Sequence, residues 1–138
     1  MRNYNEDKVS IILNLVLPEG LSDAPQPKCS FFGVYDGHGG SACAEFLRDN
    51  LHVKLVREPQ FPTDPEKALK SAFRKVEREF LSRCFSDKKE VVERSGSCAN
   101  VVLIVGDVCY VANVGDSRAV LSSDEGKEVV ALSRDHKP

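Results

Sequence analysis

The residue types that do chemistry gather in one stretch, Phe31-Phe32-Gly33-Val34-Tyr35-Asp36-Gly37-His38-Gly39-Gly40. An apolar run stops at a carboxylate and an imidazole set among glycines. Phe31 to Tyr35 is short, aromatic and bounded by polar residues, the pattern of a buried strand. Asp36 and His38 are therefore delivered at a strand end. Gly37, Gly39 and Gly40 leave the backbone there bare enough for a ligand to approach closely. Carboxylate and carbonyl oxygens with room left for water are what a hard cation such as Mg²⁺ selects. Asp-Gly is equally a common turn dipeptide, so the stretch gains meaning only from what folds against it.

The elements around it supply that meaning. Val9 to Leu17 alternates, with Val9, Ile11, Leu13, Leu15 and Leu17 on one parity, and reads as a strand covered on that side and partly covered on the other. Pro18-Glu19-Gly20 ends it. A loop of about a dozen residues before the second strand, Ser30–Tyr35, is too short for a helical crossover and favours an antiparallel pair. Such a pair brings Glu6 and Asp7 beside Asp36. Three carboxylates with no Arg or Lys between them repel one another unless a cation neutralises them.

Downstream, Ser41 opens a helix running to about Arg57, with Ala42, Phe46, Leu47, Leu51 and Leu55 as its apolar stripe. Thr63 and Glu66 form a capping box, with Pro65 in the first turn, for a second helix to about Phe85. Leu69, Ala72, Phe73, Val76, Phe80 and Cys84 share one face of that helix and belong to the core. Asp87 to Arg94 is a charged linker. Val101–Val105, Val108–Val114 and Ser117–Leu121, punctuated by Gly106-Asp107 and Gly115-Asp116, read as a three-strand meander, and Glu128–Leu132 adds a fourth strand. Two strands, two helices and then several strands make an α+β layered domain.

Composition narrows the partners. The chain has 138 residues, 41% hydrophobic and 29% charged, with net charge −2. That length suits one domain or part of one. A near-neutral balance points neither to nucleic acid nor to an anionic membrane, and the densest basic cluster, Lys88-Lys89, sits beside Glu90 and Glu93. No run approaches the ~20 apolar residues of a membrane span. The five cysteines, Cys29, Cys43, Cys84, Cys98 and Cys109, are odd in number, form no CxxC pair and mostly lie among apolar neighbours. Buried free thiols of this kind are expected in a reducing compartment, cytoplasmic or nuclear.

Taken together, these residues resemble the metal-dependent (type 2C) protein serine/threonine phosphatases. The resemblance rests on Arg2-x-x-x-Glu6-Asp7, Phe32 to Gly40, Ser95-Gly96-Ser97-Cys98-Ala99, Ala112 to Leu121 and Leu132-Ser133-x-Asp135-His136-Lys137-Pro138, in family order across nearly the whole chain. It implies a β-sandwich flanked by helix pairs with a two-metal site at one end. It implies a phosphoprotein substrate. By the resemblance Asp36 bridges both metals, the Gly37 carbonyl binds one, and Glu6 and Asp7 hold metals directly or through water. Arg2 grips the substrate phosphate, His38 is the general acid towards the leaving oxygen, and Asp116 matches an aspartate of a third, weaker metal site in some members. The all-oxygen donor set suits Mg²⁺ or Mn²⁺ better than zinc, and such ions lower the pKa of a bridging water. Arg offers phosphate a planar fork. No cysteine nucleophile is required, and Cys98 and Cys109 are expected to be packing residues. Ser97, Arg118, Asp135 and His136 are expected to be structural.

The chain departs from the family pattern in Asn5, where Met is frequent, and Cys98, where Thr is usual. It also ends before the family's later Asp-Gly and Asp-Asn motifs, in a domain roughly twice as long, within the range of the larger sandwich domains. The expectation is therefore an incomplete sandwich: the bridging half of the metal site, weak metal binding, little turnover alone, and self-association through open sheet edges. The competing reading is a catalytically dead phosphatase-like module that binds or regulates partners.

Overall fold

The computed structural model describes residues 4–18, 20 and 25–137. Its centre is an antiparallel sheet in the order β1-β2-β5-β6, formed by Lys8–Ile12 (β1), Cys29–Tyr35 (β2), Ala99–Val105 (β5) and Val108–Val114 (β6). Gly37–His38 (β3) pairs with Gly96–Ser97 (β4), and Val120–Ser123 (β7) pairs with Glu128–Ala131 (β8). Two helices, Ala42–Val56 (α1) and Pro65–Arg83 (α2), cover one face of the four-stranded sheet. This is the expected α+β arrangement, with one sandwich layer formed by the described residues.

The covered face carries the core. Phe31, Tyr35, Val101 and Leu103 from the sheet, and Leu51, Leu55, Ala68 and Ala72 from the helices, are fully buried. Each large side chain removed from water there contributes about 1.5–3 kcal/mol. The Ser10 hydroxyl, 3.3 Å from both the Tyr35 hydroxyl and the Arg48 carbonyl oxygen, ties β1 and β2 to α1. Burial pushes the Tyr35 phenol up to about 12 despite that hydroxyl.

β1 differs from expectation in two ways. It ends at Ile12 because Ser30 Oγ takes the Leu13 carbonyl at 2.8 Å, so a side chain replaces the ladder. Its parity is also reversed. Lys8 faces Tyr35 and Ser10 faces Gly33 across the ladder, so Ser10 is buried while Val9 and Ile11 are exposed. Those two join Val34, which pairs with Val9, on an outer face that no described helix covers.

The helix starts were also placed differently. Ser41 makes no capping bond and instead meets Glu45 Oε1 at 3.0 Å. The cap comes from Ser95 Oγ, which accepts from the Cys43 N–H at 3.0 Å. At α2 the N-cap is Asp64, accepting from the Lys67 N–H at 3.1 Å, whereas Thr63 donates back to the Gln60 carbonyl. A carboxylate placed against free amides at a helix start is the stronger cap.

The meander holds only as far as β6. Gly106-Asp107 makes the tight turn, with Val105 opposite Val108. Gly115-Asp116 does not. The third strand begins late, at Val120, and pairs with β8 away from the main sheet. Ala119 explains the departure: its N–H donates to Ser133 Oγ and its carbonyl accepts from the Leu132 N–H, both at 2.8 Å. The thiols were read too uniformly as well. Cys29 and Cys84 are buried, Cys43 and Cys98 half-buried, and Cys109 exposed on β6, near an edge of the sheet.

Candidate metal centre

The antiparallel register decides the geometry. Lys8 lies opposite Tyr35, so the residues just outside the pair, Asp7 and Asp36, emerge side by side. The Asn5 side chain accepts from the Asp7 N–H at 2.8 Å and fixes the entry to β1. Asp36 is exposed, yet its carboxyl is held above the ordinary range. Partial desolvation is the main cause, followed by the charges of Asp7 and Asp116 and a hydrogen bond to Asp7, while His38 pulls the other way. The sequence placed both Glu6 and Asp7 beside Asp36; the structure keeps Asp7 there, turns Glu6 to the Gly40 N–H, and brings in Asp116 from the turn after β6.

Gly37 shows how tightly the two segments approach. A Cβ there would stand 2.5 Å from the Glu6 carbonyl oxygen and 3.2 Å from the Ala44 Cβ. Glu6 itself is buried, and its Oε1 accepts from the Gly40 N–H at 3.0 Å, so the glycine loop is strapped to the start of β1. His38 lies on β3 opposite Gly96, and its ring occupies the space a side chain at 96 would need. Arg2 lies outside the described residues.

Residues 95–98 do more than the sequence suggested. The Asp36 carbonyl accepts from the Cys98 N–H at 2.8 Å and from Ser97 Oγ at 3.2 Å, which fixes the backbone of the central carboxylate. The Cys98 thiol donates to Asp116 Oδ1 at 3.2 Å, so it is more than the packing residue expected. Gly115, at φ +103°, presses on Cys98 where no larger residue fits. Arg118 forks onto Asp135 at 2.8 and 2.7 Å, and the His136 N–H donates to the Gly115 carbonyl at 2.9 Å, holding the Asp116 turn from its far side. Motif position flagged all of these residues, but only the folded contacts show what they hold.

The fit to a divalent ion is partial. Oxygen donors, crowded like charges and a bare Gly37 backbone match a hard cation. Against that, no group of three or more His, Cys, Asp or Glu side chains closes to ligand geometry among the described residues. The Cys43 thiol beside the glycine loop offers no nucleophilic alternative. Burial pushes Cys43 up to about 11, with Cys84 and Glu93 adding to the rise, and so suppresses its thiolate.

A sheet backed by two helices is a fold shared with solved phosphatases. A bacterial serine phosphatase superposes with a TM-score of 0.74 at 20% identity, covering 98% of this chain and 51% of that one. The serine-threonine phosphatase 2C from Toxoplasma gondii does so at 0.68 and 18%, covering 96% and 50%. At such identities the likeness defines the fold. The family model for Protein phosphatase 2C matches residues 2–138, and the chain belongs to that family. Among its relatives, "Probable protein phosphatase 2C 52" of Oryza sativa subsp. japonica is 44% identical over 110 residues, 79% of this chain and 21% of that protein. "Probable protein phosphatase 2C 59" of Arabidopsis thaliana is 44% identical over 107 residues, 78% and 32%. The chain thus spans about a fifth to a third of these curated relatives and about half of the solved structures.

Proposed function

We propose that this chain carries the bridging half of a metal-dependent protein serine/threonine phosphatase centre, acting on phosphoserine and phosphothreonine. The observation that carries the reading is the meeting of Asp36 with Asp7 and Asp116 at the end of a sheet held so close that only glycine fits at 37, where desolvation first and those two charges second hold the Asp36 carboxyl up. Asp7 and Asp36 would hold Mg²⁺ or Mn²⁺, with the Gly37 carbonyl beside them and Asp116 available to a further ion. Glu6 serves from behind, keeping the loop of Gly39 and Gly40 against β1. When bound, such ions supply a water acidified enough to attack phosphorus. His38, whose ring lies over Gly96, would give a proton to the departing seryl or threonyl oxygen, and Arg2, which lies outside the described residues, would grip the phosphate.

The test measures Mn²⁺ binding by titration calorimetry and Mn²⁺-dependent phosphate release from a phosphoseryl peptide. Asp36→Asn should abolish both. Equal binding by the variant sinks the reading. A second reading, a phosphatase-like module without turnover, draws on the absence of a closed ligand set among the described residues. It predicts partner binding with no metal-dependent phosphate release.

A further inference from the structure

The exposed face of α2 is cationic although the chain as a whole is not. Lys67, Arg74 and Arg78 stand at i, i+7 and i+11, which places them within one narrow stripe opposite the buried Leu69, Ala72 and Val76. All three are exposed and form no ion pair among the described residues. Their basic neighbours are already engaged: Lys70 with Glu66 at 2.5 Å, and Lys75 with the buried Glu58 at 2.6 Å. Beside the stripe lies an open groove of about 390 Å³, bordered by Gln60, Ser71 and the same cations. Gln60 Oε1 is buried and accepts no hydrogen bond among the described residues.

We propose that this groove docks an extended acidic polypeptide segment, the flanking sequence of a phosphoprotein substrate. The peptide's nature as substrate rests on the phosphatase reading; the docking itself does not. Lys67 to Arg78 spans about 16 Å of helix, room for about five residues of extended chain at ~3.3 Å each. Free cations attract the acidic side chains, and a turn of the half-buried Gln60 amide would bring its unmatched Oε1 to a main-chain N–H, a donor that a peptide presents at every residue. Glu66 and Glu77 lie together along one side of the stripe and the chain's net charge is −2, so a broad anionic membrane or a long nucleic-acid backbone laid over the helix meets repulsion there that a short segment confined to the stripe does not. The stripe is also aimed usefully. α2 ends at Arg83, the next residue, Cys84, shares a cleft with Cys43 at the start of α1, and Cys43 is bonded to Ser95 next to β4 and His38. A segment lying along α2 is thus directed towards the carboxylate end of the sheet.

The experiment is fluorescence anisotropy at low salt, without metal, using a labelled eight-residue Asp/Glu peptide, a labelled single-stranded oligonucleotide of equal charge, and phosphatidylserine vesicles. The peptide should bind, and should bind about tenfold or more weakly to K67Q/R74Q/R78Q, whose solvent-facing changes leave the unfolding midpoint in place. Q60L should weaken the peptide several-fold by leaving its N–H unmatched. Absence of peptide binding, equal binding by the triple variant, indifference to Q60L, or equally tight capture of the oligonucleotide or vesicles overturns the proposal. Because the readout needs neither metal nor turnover, peptide binding in a chain that takes up no Mn²⁺ would defeat the phosphatase reading alone.

Discussion

Gly37→Ala is the sharpest probe of how the metal centre is built. The added Cβ would come within 2.5 Å of the Glu6 carbonyl oxygen, and that oxygen is main chain, so it cannot swing aside. Ordinary carbon contacts need about 3.5 Å, which requires one segment to retreat by roughly 1 Å. The retreat separates Asp7 from Asp36. Overpacking of this kind costs about 1–3 kcal/mol, and loosening the support of metal ligands costs about 10–100-fold in affinity. Urea unfolding with and without Mn²⁺ reads both effects. At 100 times the wild-type Kd, Mn²⁺ should stabilise the wild type by about 2.7 kcal/mol and the variant by only about 0.4–1.4 kcal/mol. A variant within about 0.5 kcal/mol of wild type that gains the same increment from Mn²⁺ would refute the reasoning.

Asp36→Asn should raise the stability of the metal-free chain at pH 7 by about 0.2–1 kcal/mol, because it removes one of the crowded charges. The raised carboxyl takes up its proton at a higher pH in the folded chain than in the unfolded one, so this advantage should shrink in acid; a less stable variant at pH 7 contradicts it. Tyr35 keeps its proton in the folded state up to about 12, whereas the unfolded phenol loses it near 10. Stability from this residue is therefore whole below pH ~10 and declines towards 12, by about 2–3 kcal/mol. Tyr35→Phe should flatten that alkaline limb in urea titrations, and parallel limbs would count against it. Ser95→Ala should cost about 1 kcal/mol and Ser41→Ala distinctly less, since only Ser95 caps α1; equal losses in chemical denaturation would show the cap assignment wrong.

Local signals in the sequence were reliable where local forces decide. The short loop between β1 and β2 dictated an antiparallel pair, and that alone put Asp7 beside Asp36. Gly106-Asp107 made its hairpin because both flanking strands stay in one sheet. Elsewhere distant partners decided. The apolar parity of Val9 and Ile11 pointed to the wrong face of β1 as the covered one, because the Ser10 contacts to Tyr35 and Arg48 set its orientation. The Gly115-Asp116 turn looked like its predecessor, but contacts from Cys98 and His136 open it to present Asp116. The α2 stripe escaped notice because Glu66, Glu77 and Glu79 interrupt it in the chain; only winding the helix sorts the signs.

Ser95 sets an order of events. The first turn of α1 is completed by a residue 52 positions downstream, on the approach to β4. A helix of 15 residues is only marginal in isolation, and this one lacks a local seal at its start. Its ends can mature only after the chain has turned back through α2 and closed a long loop, whose entropy must be spent beforehand. The loop that joins the carboxylate end of the sheet to α1 should accordingly be among the last parts of the molecule to stop fraying during refolding.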